Sequence, residues 1–390
     1  MLDLAGLAAK PNESEDAIQA FGRAIELQPG YVDAIFNLGL AHFRLGQLKA
    51  AGEQFERVLQ LKPDLPEAQF HLGEVYYQRG KTSRAVKLYK KALYTRPQDA
   101  MTYRRMARAY MDQGQPEEAI TYLLKLQNLA PDDASAREQL GLAYAALGTF
   151  DGYQQAVEEL EQAHQLDPES PQLLVSLASV HFGQKKGTQA KKALQRALKI
   201  EPGHRQATVD LGRILEAEKA YGEALALYRS CLERHPTFAE AHYRTARVAH
   251  AQGDEDRELT HYRKAIVLDP SHVASRAELG GLLYEQGEYT AALEQLERAV
   301  ETDETYGRAR IYQAGALAKL DRMQEAKTAA EAATIVAPES AEAFALLGSI
   351  ERALENLPAA KRAYERALTL DPKNSELAFK VQDLDKALVQ

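Results

Sequence analysis

The ten histidines are the residues best suited to metal binding or proton transfer, yet none lies in a motif for either. His242 and His250 are about two helical turns apart, whereas two metal ligands on one helix need the spacing i, i+4. His42 and His181 occupy the same slot between paired helices, which favours packing over ligation. There is no His-Glu-x-x-His motif and no glycine-rich phosphate loop. We therefore expect no catalytic residue, no metal site and no cofactor.

Cys231 is the only cysteine, so the chain has no intrachain disulfide. It lies at a small-residue packing position, which predicts a buried structural thiol rather than a nucleophile. A formal net charge of −8 argues against a general binder of nucleic acid or of anionic membranes. No apolar run approaches a membrane span, and the N-terminus lacks the basic start of a signal peptide. We expect a cytoplasmic protein, or a periplasmic or envelope-associated one if the chain is a piece of an exported protein.

The element that would position any binding residue is a pair of short amphipathic helices, clearest in Val32–Leu65. Gly39 and Ala51 are small where the two helices must approach closely, and Phe55 fills the space beside them. Pro63 ends the second helix because it lacks the backbone N–H that a helix needs. A single pair cannot bury both of its faces, so further pairs must stack on it.

This pattern recurs with a period of about 34 residues. The predicted full repeats are 32–65, 66–99, 100–133, 134–170, 171–204, 205–238, 239–272, 273–306, 307–340 and 341–374. We group them into an N-terminal part, 1–170, and a C-terminal part, 171–374. Four units depart from the pattern. In 273–306, Glu304 replaces the terminal proline. Of the other three, one has extra residues in its turn at Gly148–Tyr153, one has Glu258 in place of a small residue, and one has Ala330 in place of a large one.

The two ends of the chain differ in how completely they match the repeat. In 1–31, Ala17 and Phe21 match the second helix of the unit. The apolar residues that remain for a first helix are Leu4, Ala5 and Ala8. We therefore expect a clipped first repeat and a truncated N-terminus. The segment 375–390 predicts a single capping helix, with Ser375 as its N-cap and one apolar stripe against the last repeat.

About ten units in register resemble the tetratricopeptide repeat family over essentially the whole chain. The shared features are Leu-Gly or Leu-Ala in the first helix, Ala and an aromatic or Leu in the second, and a terminal Pro. The resemblance implies an all-α, right-handed superhelical solenoid of antiparallel helix pairs. It places first helices on a concave face and second helices on a convex face, and it implies protein or peptide binding in the groove.

The family's best-known ligand device, a Lys and Asn clamp for a C-terminal carboxylate, is absent. The equivalent positions here are Phe36, Leu40, Phe70, Glu74, Arg104 and Arg108. By the family geometry, three consecutive first helices project a set of apolar and basic side chains into the groove. This set is Phe36, Leu40, Phe43, Phe70, Tyr77, Met101, Arg104, Arg108 and Met111. A second, weaker cluster is Arg213, Tyr243, Arg247 and Tyr284.

The four aromatic members of the first set are not needed for the core of a helix pair, so they predict an exposed apolar strip. The alternative is that packing between neighbouring pairs buries them. Arg104 and Arg108, spaced i, i+4, would bind a carboxylate or other acidic group of a partner.

Three functional hypotheses remain open. The first, which we favour, is a non-enzymatic scaffold that binds an extended or helical segment of a partner protein, with no nucleic acid and no membrane insertion. The second is a self-assembling homo-oligomer, in which the basic stretch Arg79–Arg108 of one copy pairs with the acidic stretch Glu278–Glu304 of the next. The third is the arm of a larger enzyme or of an envelope-secretion protein.

Overall fold

The computed structural model describes residues 11–389, and all regular structure within them is α-helical. The chain forms two compact units, Met1–Ile200 and Glu201–Gln390. The first unit contains α1 (Pro11–Leu27), α2 (Val32–Arg44), α3 (Leu48–Leu61), α4 (Pro66–Gln78), α5 (Thr82–Thr95), α6 (Ala100–Asp112), α7 (Pro116–Leu129), α8 (Ala134–Ala146), α9 (Phe150–Leu166), α10 (Pro171–Gly183) and α11 (Gly187–Ile200). The predicted opening-helix residues Leu4, Ala5 and Ala8 lie outside the described residues.

The second unit continues the same alternation of first and second helices. It contains α12 (Arg205–Ala217), α13 (Tyr221–Arg234), α14 (Ala239–Gln252), α15 (Glu255–Leu268), α16 (Val273–Glu285), α17 (Tyr289–Thr302), α18 (Gly307–Lys319), α19 (Met323–Val336), α20 (Ala341–Ala353), α21 (Leu357–Leu370) and α22 (Ser375–Val389). Five helix pairs lie in each unit, and each predicted repeat range contains one pair. The all-α fold of stacked antiparallel helix pairs is confirmed. The grouping into 1–170 and 171–374 stays a prediction.

Each helix pair is held by a small residue of the first helix packed against a large residue of the second. A β-carbon on Gly39 would stand 2.8 Å from the ring of Phe55, which is fully buried. Ala51 is likewise fully buried. The predicted roles of these three residues are confirmed. Such close approach lets the aromatic ring fill the space between two backbones, and native packing density leaves little room for a larger residue there.

The first helices of successive pairs also touch one another, as α2 touches α4 in the first unit and α16 touches α18 in the second. Within each unit, every second helix packs on the first helix of its own pair and on the next first helix of that unit. Within a unit, one face is therefore formed by first helices and the other by second helices. We call these the first-helix face and the second-helix face. No helix within residues 11–389 is both long enough and apolar enough to cross a membrane.

The extra residues of 134–170 form a helical turn instead of the longer connecting turn that the sequence suggested. Helix α9 has 17 residues, where the second helices of the other full repeats have 14. Thr149 caps it, because its Oγ1 accepts a hydrogen bond from the Gly152 backbone N–H at 3.0 Å. A β-carbon on Gly152 would stand 2.6 Å from the Tyr144 carbonyl oxygen, so only glycine fits this close approach.

The other irregular positions behave in different ways. Ala330 is fully buried where most pairs carry a larger side chain. Glu258 is also buried and pairs with the His250 ring, with Nδ1 and Oε1 3.1 Å apart. The expected cap of α22 is wrong by one residue, because Ser375 is already helical. Asn374 caps the helix instead, its side-chain oxygen accepting from the Leu377 N–H at 3.2 Å.

Candidate functional site

The predicted groove residues of the first unit lie on α2, α4 and α6, at equivalent positions of three first helices. Because α2 touches α4, side chains at these positions meet their counterparts on the next pair. Phe36, Leu40 and Phe43 are half-buried, and Phe70 is buried. The aromatic strip is therefore only partly open to solvent, because neighbouring pairs pack around it.

His71 of α4 packs against the phenylalanines of this strip, a role that its position in the repeat did not predict. Its ring stacks on Phe55, with centroids 5.6 Å apart, and meets the edges of Phe36 at 5.6 Å and Phe70 at 5.2 Å. Phe43 lies further away, at 6.4 Å. Burial, aided by the nearby positive charge of Arg44, lowers the pKa of His71 to about 4. The imidazole is thus neutral near pH 7 and packs as one more aromatic ring among the phenylalanines.

Phe70 turns away from the first-helix face and packs on Tyr89 of α5, with ring centroids 5.9 Å apart. The hydroxyl of Tyr89 donates to the buried carboxylate of Glu74 at 2.5 Å. Arg105 Nε lies 3.0 Å from the other oxygen of Glu74, an ion pair that lacks hydrogen-bond alignment. Phe70 and Glu74 therefore hold neighbouring helices together and leave little surface for a partner.

The two predicted arginines have separate surroundings. Arg104 forms an ion pair with Asp133, the N-cap of α8, and donates to Ser135 Oγ at 3.0 Å. Arg108 is exposed and lies beside Tyr77, whose hydroxyl donates to Asp112. Burial raises the pKa of Tyr77, and Arg108 opposes that rise. Arg108 is thus available to an acidic partner, whereas Arg104 is engaged with the next helix pair.

Two sulfur-containing side chains flank these arginines on α6. Met101 is 59% exposed, which is unusual for a large apolar side chain, and Met111 is half-buried. Met101 and Arg108 are seven residues apart and so lie on one side of the helix, two turns from each other. Together they give the first-helix face of α6 one apolar and one cationic contact.

The second predicted cluster divides into two groups. Tyr243 is buried, with its ring 5.0 Å from that of His272, and Arg247 Nε lies 3.9 Å from Glu216 Oε2. Tyr284 lies on α16 and packs on Gly315, so it belongs with the next helix pairs. The fourth predicted member, Arg213, is exposed on α12.

Near this cluster a half-buried carboxylate, Glu278, forms an ion pair with Arg308 at 3.0 Å. Burial raises the pKa of Glu278, while Arg308 opposes the rise. Beside it, Tyr284 and Tyr312 pack against glycines of each other's helices, Gly315 and Gly281. A cavity of about 210 Å³ lies between these first helices. The local charges are therefore largely balanced, and the cavity is lined mainly by aromatic and small residues.

Among the described residues, no group of three His, Cys, Asp or Glu side chains is placed so that it could bind a metal ion. His242 Nδ1 and His261 Nδ1 approach to 3.0 Å, an arrangement that the sequence spacing did not reveal. Burial and the neighbouring imidazole of His242 lower the pKa of His261 to about 4. Cys231 is buried, and burial raises the pKa of its thiol. The expected structural role of this thiol agrees with its burial.

Family comparisons match most of the chain. The family model described as "Cilia and flagella-associated protein 70 C-terminal domain" matches residues 6–249. Two models described as "Tetratricopeptide repeat" match residues 283–350 and 341–374. These matches confirm the resemblance drawn from the repeated motifs. No curated protein matches the chain.

Several solved structures are similar to the chain in fold. Yeast Tom70 aligns at 16% identity and a TM-score of 0.47, over 99% of this chain and 96% of that one. YrrB, described as a TPR protein with an unusual peptide-binding site, aligns at 22% identity and a TM-score of 0.44, over 52% of this chain and 99% of that one. MamA from Desulfovibrio magneticus RS-1 aligns at 22% identity and a TM-score of 0.42, over 45% of this chain and 97% of that one.

Proposed function

Because the chain belongs to the Cilia and flagella-associated protein 70 C-terminal domain family and also matches tetratricopeptide repeat models, we propose that it is a non-enzymatic protein-interaction scaffold. Its ligand would be an extended or helical segment of a partner protein. The segment would lie on the first-helix face of α2, α4 and α6, where Met101 and Arg108 of α6 are exposed.

The observation that carries this proposal is the pairing of Met101 and Arg108 on one side of α6, both exposed. An exposed methionine adapts its shape to many apolar side chains, and an arginine beside it adds a charge-assisted contact for a carboxylate. The half-buried rings of Phe36 and Phe43 and the side chain of Leu40 extend the apolar surface along α2. A partner segment with apolar residues and at least one carboxylate would complement this face.

Met101→Ala combined with Arg108→Glu is the variant that tests this site. Both side chains are exposed, so the variant should keep its helical content and its unfolding midpoint. A matched control is Lys91→Glu with Tyr94→Ala, which makes the same kinds of change on the second-helix face of α5, where Tyr94 is 92% exposed. Affinity capture from native lysate would compare the unmodified chain with both variants.

We expect a protein that is captured by the unmodified chain and by the control, and that is lost from the Met101→Ala, Arg108→Glu variant. Its binding should weaken as salt rises, because Arg108 contributes through charge. Equal recovery on all three baits would contradict the assignment of the site to α6. Loss on the control alone would move the binding surface to the second helices.

Self-assembly through the basic and acidic stretches finds less support. Within the first unit, Arg96 pairs with Glu67 and Arg104 with Asp133. Within the second unit, Glu278 pairs with Arg308. Charges that already have partners gain little from a second copy of the chain. A sedimentation measurement across salt concentrations decides the question, since a salt-independent monomer excludes head-to-tail pairing by charge.

A further inference from the structure

A furrow runs along the second-helix face of the second unit, between α13 and α15. Both helices pack on α14, and Thr245 of α14 lies at the bottom of the furrow. One part of it has a volume of about 580 Å³. A second part, of about 440 Å³, shares Leu232 with the first and continues towards Leu268. From Gly222 near the start of α13 to Pro236 just beyond its end, the furrow is about 20 Å long.

Two small residues of α13 keep the furrow open. Gly222 has no atom within 4 Å of the place where a β-carbon would be, and Ala226, one turn later, is exposed. At the same positions of another second helix, α17, the chain carries Thr290 and Glu294. The width of the furrow is therefore a property of this helix pair rather than of the repeat.

The furrow offers apolar contacts at helical spacing. Leu225 and Leu232, seven residues apart on α13, are half-buried and line it. On the opposite wall, Val267 is 79% exposed and Leu268 is 37% exposed. A residue spacing of seven places both leucines on one side of α13, which is the geometry by which one helix packs along another.

Cations predominate among the charged residues that line the furrow, although the whole chain carries a net charge of −8. Four of these residues are basic and one is acidic: Arg229, Arg257, Arg263, Lys264 and Glu233. Arg257 pairs with Asp254 across 3.4 Å. Walls that carry both apolar and basic side chains complement an amphipathic helix with carboxylates beside its apolar stripe, a recurrent mode of peptide recognition.

We propose that this furrow binds one acidic amphipathic helix of a partner protein. The helix would pack apolar side chains between α13 and α15 and place carboxylates near Arg229 and Lys264. This site is separate from the proposed contacts on α6, because it lies on second helices and in the other unit. A scaffold with both sites would hold two partner segments at once.

The first experiment uses a display library of helical peptides of about 14 residues, a length that spans the furrow. Peptides are selected on the full chain and then tested on Ala226→Arg, which fills the furrow from an exposed position. Thr328→Arg is the matched control, because Thr328 is exposed at the same position of α19. We expect selected sequences with apolar residues at i, i+3 or i+4 and i+7 and with several carboxylates. Their affinity for Ala226→Arg should be at least about tenfold lower than for the unmodified chain, and their affinity for Thr328→Arg should equal that for the unmodified chain.

A charge reversal tests the chemistry of the partner. Arg229→Glu with Lys264→Glu should weaken the same peptides by at least about tenfold, while Lys373→Glu, an exposed reversal elsewhere in the unit, should not. Peptides in which Lys replaces each acidic residue should bind the reversed variant better than the unmodified chain. Selected peptides that lack acidic residues, or that bind all variants equally, would overturn the proposal. Met101→Ala, Arg108→Glu leaves this binding unchanged, so the two sites can fail separately.

Discussion

Tyr364 packs on Gly348 so closely that a β-carbon on the glycine would stand 2.8 Å from the tyrosine ring. The hydroxyl of Tyr364 lies 2.9 Å from Ser349 Oγ, so the ring spans the core and ends in a hydrogen bond on the first helix. Phe55 meets Gly39 in the same way in the first full repeat of the chain, also at 2.8 Å. This contact of a small residue with a large ring recurs along the chain and joins the helices of a pair.

Gly348→Ala should lower the free energy of unfolding by about 1–3 kcal/mol, because the added methyl group must push the Tyr364 ring or the helix aside. The higher helix propensity of alanine offsets about 1 kcal/mol of that loss. Gly222→Ala is the matched control, since its β-carbon meets nothing within 4 Å, and it should be neutral or slightly stabilising. Urea denaturation followed by circular dichroism measures both. An equal effect of the two substitutions would show that the close contact does not limit stability.

The helix pairs and their internal contacts could be predicted because they depend on residues about one repeat apart or less. Gly39, Ala51 and Phe55 lie in one repeat, and their spacing alone identified their roles. The helical turn added to α9 could not be predicted in the same way. It depends on a cap by Thr149 and on the close approach of Gly152 to a backbone oxygen of α8, and the repeat pattern specifies neither of them.

The accessibility of the groove residues was harder to predict than their positions. Arg104 lies at the expected position, but Asp133 from the start of the next first helix pairs with it. Phe70 also lies as expected, yet its ring packs on Tyr89 instead of facing solvent. These partners come from neighbouring helices, and the repeat pattern specifies a side chain's position without specifying the rotamer that it adopts.

Glu258→Ala should stabilise the protein at neutral pH by about 1 kcal/mol, since a buried carboxylate is costly. Burial raises the pKa of Glu258 above that of an unfolded glutamate, and His250 only partly opposes this. Between the pKa of an unfolded glutamate and the higher pKa of Glu258 in the folded state, the folded state binds more protons than the unfolded state. The free energy of unfolding therefore falls as pH rises through this range. The residue equivalent to Glu258 in the next repeat is Ala292, which is fully buried, so the repeat accepts alanine at this position.

The pH dependence distinguishes this effect from a change in packing. The stabilisation from Glu258→Ala should be present at pH 7 and should shrink as pH falls to about 4 and below, where the carboxyl group becomes protonated in both states. Glu294→Ala serves as the control, because Glu294 is exposed and forms only a surface pair with Arg298 at 3.3 Å. A stabilisation that is equal at both pH values would mean that shape, and not charge, sets the cost of Glu258.

His71→Leu should make the protein less sensitive to mild acid. The pKa of His71 is about 4 in the folded state, against about 6.5 in an unfolded chain. Between these values the unfolded state binds more protons, so stability is complete above pH 6.5 and falls as pH drops towards 4. One such group contributes a slope of up to about 1.4 kcal/mol per pH unit.

The measurement for His71 is the urea midpoint as a function of pH between 4 and 7. His261, whose pKa is also about 4, should contribute a similar loss, so His71→Leu removes only part of the slope. His235→Gln, on a turn outside the aromatic strip, is the control substitution. An unchanged slope in His71→Leu would show that the ring is hydrated and titrates in the folded state much as it does in the unfolded state.

Glu355→Gly should raise the free energy of unfolding by about 1 kcal/mol, because a non-glycine residue with positive φ crowds its own β-carbon. Glu355 has a φ of 60°, at the turn between α20 and α21, where the equivalent residue between α2 and α3 is Gly46 with a φ of 71°. The reverse change, Gly46→Glu, should lower stability by a similar amount, since nothing lies within 4 Å of its β-carbon position and only backbone strain is added. If strain at this turn governs the result, urea denaturation will show a higher free energy of unfolding for Glu355→Gly and a lower one for Gly46→Glu than for the unmodified chain. Destabilisation by both would instead mean that the Glu355 side chain makes contacts worth more than the strain it carries.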